Sequence, residues 1–166
     1  MRFVLWLLLW PVAAVAGQNL GAGRPERAWR AIRVGYAVEL VAMAVFAAIL
    51  FAARGWIVAQ FTTDPEVGEV AREYLLFACA NVLLLGVYFV TFRALQGAGD
   101  MRMPMLASLA AALFVALPLG WLLIEHTALG PRAMWITNLA FSTTNTALAL
   151  AALVFGRQVP RRSAAP

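Results

Sequence analysis

Four apolar stretches, each about 20 residues long and so long enough to span a bilayer as α-helix, occupy most of this chain: Val34 to Ala53, Tyr74 to Phe92, Pro104 to Ile124 and Met134 to Phe155. At a rise of about 1.5 Å per residue each crosses about 30 Å of hydrocarbon. They are apolar on every side, whereas a soluble domain of 166 residues would wrap polar faces around one core. The expected fold is all-α: a polytopic transmembrane helix bundle with four full spans plus one partial span at the amino terminus. Residues 1–156 form the membrane region and 157–166 a short, basic, proline-bearing cytoplasmic tail expected to be disordered.

Composition agrees, with 63% hydrophobic and 13% charged residues, the latter about half the share of an ordinary globular domain. The positive charge is all arginine, placed at the ends of apolar segments rather than in a stripe interleaved with aromatics, so nucleic acid is not an expected partner. Cys79 has no second cysteine to pair with and reads as a small packing residue. No serine, histidine and carboxylate set points to hydrolysis, no cofactor is expected, and the chain is not read as an enzyme. His126, beside Glu125 at a span end, reads as a loop histidine.

Charge also orients the spans. Arg24, Arg27, Arg30 and Arg33 lie in one connection, Arg93 and Arg102 in another, and Arg157, Arg161 and Arg162 in the tail; by parity these share one side. The opposite connections hold only Arg54, Arg72 and Arg132, so the richer side, and with it the carboxy terminus, is read as cytoplasmic. Trp29, Trp56 and Trp135 fall near span ends, where indole rings favour the interface. Met1 to Ala16 has two readings: a secretory signal with a small-residue site at Ala14-Val15-Ala16, or the trailing part of a fifth span. A cleaved signal would leave Gly17 outside, against the four arginines that follow, which favours the partial span.

Gly21-Ala22-Gly23 is expected to stop the first apolar segment, with Pro25 in the first turn of the next helix. Thr63-Asp64-Pro65-Glu66 reads as a capping box with the Thr63 hydroxyl as cap, opening a helix that runs into the third apolar stretch. Gly97-Ala98-Gly99-Asp100 closes that stretch, Pro104 opens the next, and Pro118 predicts a kink within it.

Polar residues inside the spans are the candidate transport-pathway positions. Glu39 is the only carboxylate in an apolar run, roughly 8 Å of helix from its start. A charge at mid-membrane costs on the order of 3 kcal/mol by insertion scales, so such a residue signals a pathway or proton relay, unless it is interfacial and reaches headgroups or the nearby arginines. Asn138, Ser142 and Asn145 fall at i, i+4 and i+7 with Thr146 adjacent, a stripe expected to face other helices or a watery cavity rather than lipid. Asn81 and Tyr88 form a similar pair, whose ring can contact an organic cation. For both sets interhelical packing is the plainer alternative.

The string Gly17-Gln18-Asn19-Leu20-Gly21-Ala22-Gly23-Arg24-Pro25-Glu26-Arg27-Ala28 resembles a signature of the multidrug and toxic compound extrusion (MATE) family. Phe61-Thr62-Thr63-Asp64-Pro65-Glu66-Val67 with Tyr74-Leu75, and Ala94-Leu95-Gln96-Gly97-Ala98-Gly99-Asp100, resemble two further segments of that family, in the right order. The resemblance implies a twelve-span exporter of two six-helix lobes that expels cationic or amphipathic compounds against H+ or Na+. This chain is similar to the end of the second lobe, from the last part of span eight through span twelve. The implied partners are the lipid bilayer of the bacterial inner membrane, a small-molecule substrate, and a missing first lobe or a second copy. Some members carry an acidic residue in span ten where this chain reads Leu83-Leu84-Leu85-Gly86, so that cation site does not carry over, and a fragment acting alone is expected to be inactive. Rival readings are a lipid-linked oligosaccharide flippase of similar lobe architecture, and a non-transporting scaffold or assembly protein with a cleaved signal.

Overall fold

The computed structural model describes residues 2–156, with side chains from residue 12 onward; the tail 157–166 lies outside the described residues. Six α-helices follow one another: α1 (Arg2–Gly21), α2 (Pro25–Ala59), α3 (Pro65–Gly97), α4 (Arg102–Ala111), α5 (Leu117–His126) and α6 (Pro131–Phe155). A π-helical turn, Ala112–Ala116, joins α4 to α5, so these two form one span. Among the described residues four helices are long and apolar enough to cross a membrane: α2, α3, the α4–α5 unit and α6. Only 11–28% of the most apolar window of each is buried inside the bundle, and apolar side chains such as Val41, Ile49, Phe114 and Leu117 point outward. In water that surface would be untenable; against lipid it is the expected exterior. The chain is thus a multi-pass membrane protein.

The connections are short, and each is built by the residues that end one helix and begin the next. Gly23, at φ +68, turns the chain after α1, and Pro25 starts α2 with the fixed φ that suits a first turn. Gly99, at φ +80, does the same after α3, and Asp100 Oδ1 accepts from the amides of Arg102 and Met103, so α4 begins two residues before Pro104. At the start of α3 the capping residue is Asp64, not Thr63: Asp64 Oδ1 accepts from Glu66 N at 2.9 Å and Val67 N at 3.4 Å. Pro65 decides this, because it holds the preceding residue extended (Asp64 ψ 123) and takes the first helical position itself. The Thr62 hydroxyl supports the turn by accepting from Asp64 N at 3.1 Å.

Pro118 does not break its span. The backbone widens just before it, with Leu117 N bonding Ala112 O across five residues, and regular α-helix resumes with Pro118 in its first turn. The widened turn thus lies just where Pro118 withholds its donor.

Packing centres on α3, which touches α1, α2, α4 and α6. The core joins Val12 and Ala16 of α1, Ile32 of α2, Val90, Ala94 and Leu95 of α3, and Leu153 of α6. The closest approach is between α1 and α3. A Cβ on Gly97 would sit 2.5 Å from Ala13 O, and one on Gly17 would sit 2.8 Å from Gly97 O. Backbone therefore lies on backbone, the packing mode that small residues permit in membranes.

Candidate functional site

Helices α3 and α6 start at the same end of the bundle, where Arg132 Nε lies 2.7 Å from Glu73 Oε1 and Arg132 Nη2 donates to Glu73 Oε2 at 2.9 Å. That paired fork ties the start of α6 to α3, a little over two turns from the start of α3. Immediately inward, Tyr74 and Phe77 of α3 each stand 5.6 Å, centroid to centroid, from the ring of Trp135 on α6. One further turn in, Asn81 Nδ2 donates to Asn138 Oδ1 at 3.1 Å. Together these residues line a half-open cleft of about 480 Å³. Asn81 Oδ1 is buried beside it with no hydrogen-bond partner among the described residues.

Beyond the cleft the seam continues as a closed hydrogen-bond chain. Ser108 Oγ of α4 donates to Asn145 Oδ1 of α6 at 3.1 Å, which leaves the Tyr88 hydroxyl to donate to Ser108 at 3.3 Å. Thr146 Oγ1 donates to Leu84 O at 3.5 Å, and Ser142, Asn145 and Thr146 are all buried. The stripe on α6 therefore divides: Asn138 opens onto the cleft, whereas Ser142 and Asn145 are sealed inside. Asn81 and Tyr88 divide likewise, for Tyr88 sits with Phe89 and Phe92 and reaches α4 instead of the cleft.

Three elements of this arrangement are not visible in the apolar pattern. Ser108 is a single hydroxyl in an alanine- and leucine-rich run, and only its partners give it meaning. Tyr74 and Phe77 precede Asn81 by seven and four residues, so one helix face could have linked them. Trp135, three residues before Asn138, reads as an interface marker until its ring is seen between Tyr74 and Phe77.

Glu39 is elsewhere. It is 2% exposed in the seam between α2 and α3, packed near Gly86, and its Oε1 has no hydrogen-bond partner among the described residues. The glycines of the signature segments take two different places. Gly17 and Gly97 lie in the α1–α3 contact, while Gly23 and Gly99 form the turns; Gly21 ends α1 with open space around it, and Gln18 is an exposed residue of α1. Among the described residues no group of three histidine, cysteine, aspartate or glutamate side chains is placed to hold a metal ion.

These features define a class: a helical multi-pass membrane protein with a part-polar seam and an aromatic-walled cleft between its spans. The MatE family model matches residues 3–122, and the chain belongs to that family. It is similar to the probable multidrug resistance protein NorM of Xanthomonas campestris pv. campestris, at 36% identity over 146 residues, 88% of this chain and 31% of that protein. It is also similar to the multidrug resistance protein PmpM of Pseudomonas aeruginosa, at 32% identity over 84% of this chain and 30% of that protein. A third relative, the probable multidrug resistance protein NorM of Oceanobacillus iheyensis, is 28% identical over 93% of this chain and 36% of its own length. The chain thus spans about a third of the length of these curated relatives.

Proposed function

We propose that this chain is part of a secondary active antiporter that exports cationic or amphipathic compounds in exchange for H+ or Na+. It sits in the bacterial cell inner membrane with its carboxy terminus in the cytoplasm. The cleft between α3 and α6 supports the substrate reading: aromatic faces attract an organic cation, and Asn81 and Asn138 give the wall a polar patch. Transport by such proteins is rocking of two lobes about a midplane site, which one partial lobe cannot perform. The working exporter therefore needs a first lobe or a second copy, and the chain alone does not pump.

The test is binding of a fluorescent lipophilic cation to the purified chain in lipid nanodiscs, followed by fluorescence polarisation. Trp135→Ala and Asn81→Leu should each weaken binding by about tenfold, or about 1.4 kcal/mol. Affinity unchanged in both variants would sink the cleft as a substrate site.

A further inference from the structure

We propose that Glu39 is a proton-binding site, carried as the neutral acid while α2 packs on α3 and exchanging its proton with water only when that seam opens. The role this gives it, as the point where H+ rather than Na+ enters the exchange, rests on the exporter reading. Its protonation does not.

The argument begins from what surrounds the carboxyl group. Glu39 is 2% exposed, and its Oε1 is buried without a hydrogen-bond partner among the described residues. On its own helix the next turn brings Met43; across the seam stands Gly86, where a Cβ would lie 3.5 Å from Glu39 Cγ and 2.7 Å from Met43 Cγ. The glycine thus makes room for both side chains. An ionised carboxylate with one oxygen buried and unpartnered is costly to hold among apolar atoms, and a bound proton lowers that cost.

Among the described residues no arginine or histidine forms an ion pair with Glu39. Among the described residues α2 touches only α1 and α3. On α3 the ionisable residues from position 79 to 93 are Cys79, whose Sγ donates to Ala47 O; Tyr88, held by Ser108; and Arg93, whose Nη1 donates to Gln96 Oε1. On α1 the sequence from Phe3 to Gly21 holds no ionisable residue, and Arg2, which opens that helix, has a side chain outside the described ones. On α2 itself Tyr36 lies one turn away, its hydroxyl given to Thr91 Oγ1 at 2.7 Å, which in turn donates to Val87 O at 2.7 Å. The arginines Arg30 and Arg33 project from the exposed beginning of α2.

The same surroundings choose between the two ions. A hard metal cation wants several oxygen ligands at once, and here one carboxylate faces a thioether side chain and a glycine. A proton needs only the one oxygen.

Infrared spectroscopy of the purified full chain in nanodiscs reads this without transport. Of its eight acidic residues, Glu73 is paired with Arg132, Asp64 and Asp100 cap helices, and Glu26, Glu66, Glu69 and Glu125 are exposed. At pH 7 a protonated-carboxyl C=O band should therefore be present, should exchange slowly in deuterated water, and should vanish in Glu39→Gln. Replacing choline chloride by sodium chloride at fixed pH should leave it unchanged. In Glu39→Asp a carboxyl band should remain at a shifted position, which separates loss of the group from loss of the fold. A wild-type chain with no protonated carboxyl at pH 7, a band that survives Glu39→Gln, or one that sodium abolishes would each overturn the proposal. Dye binding in the cleft can fail or succeed independently of all three.

Discussion

Gly97 shows how much one missing methyl group decides. Its Cβ would press on the carbonyl of Ala13, backbone that cannot step aside as a flexible side chain would. Gly97→Ala should therefore cost about 1–3 kcal/mol, as overpacking does, read as a lower unfolding midpoint in mixed micelles. Gly21→Ala, with open space around it, should leave that midpoint nearly unchanged. The Tyr88, Ser108 and Asn145 chain calls for a subtler measurement. A double-mutant cycle of Tyr88→Phe with Ser108→Ala should give a coupling of about 0.6 kcal/mol, because polar side chains in a membrane find other partners once the bundle loosens. A coupling of zero would mean that the hydroxyls are neighbours without being bonded. Of these residues Tyr88 and Asn145 stand out in the sequence as polar groups within apolar runs, but Ser108 does not, since a lone serine in a span is unremarkable until its partner is known.

At the scale of the element, helix starts prove more exactly placed than a motif alone conveys. Both Thr63 and Asp64 are good capping residues, and the pattern of a threonine three before a glutamate favours Thr63. Pro65 overrides that pattern by occupying the first helical position, which makes Asp64 the cap. Asp64→Ala should destabilise the start of α3 by about 1 kcal/mol, seen as about fivefold faster hydrogen exchange at the Glu66 and Val67 amides. Thr63→Ala should change those rates little. Pro118 is a similar lesson: the missing N–H group is plain in the sequence, whereas the widened turn just before it is not. Here Gly120 faces Thr137 of α6 and Ser108 reaches Asn145, so α4 and α5 both keep their faces on α6, and the π turn between them takes up the mismatch.

For the whole molecule, the number of long apolar helices and the turns that connect them follow from apolar length and from glycine and proline placement, because in hydrocarbon a backbone has few alternatives to the helix. Which helix touches which follows only where a polar stripe marks the inward face, since elsewhere lipid-facing and helix-facing sides are equally apolar; the α1–α3 contact, the sharing of the cleft between α3 and α6, and the burial of Glu39 against Gly86 depend on that choice. Two outcomes belong to this scale. Cells expressing this chain alone should show dye efflux no different from empty-vector cells; efflux above that background would contradict the need for a second lobe. In a Cys79→Ser background, a cysteine introduced at Ala22 should resist a membrane-impermeant thiol reagent in intact cells and react after lysis, as an arginine-rich cytoplasmic connection requires. The contact of Gly17 and Gly97 with opposing main chain carries a mechanical corollary. Main chain pressed on main chain has no side chain to fold aside, so α1 and α3 cannot slide along each other without first moving apart.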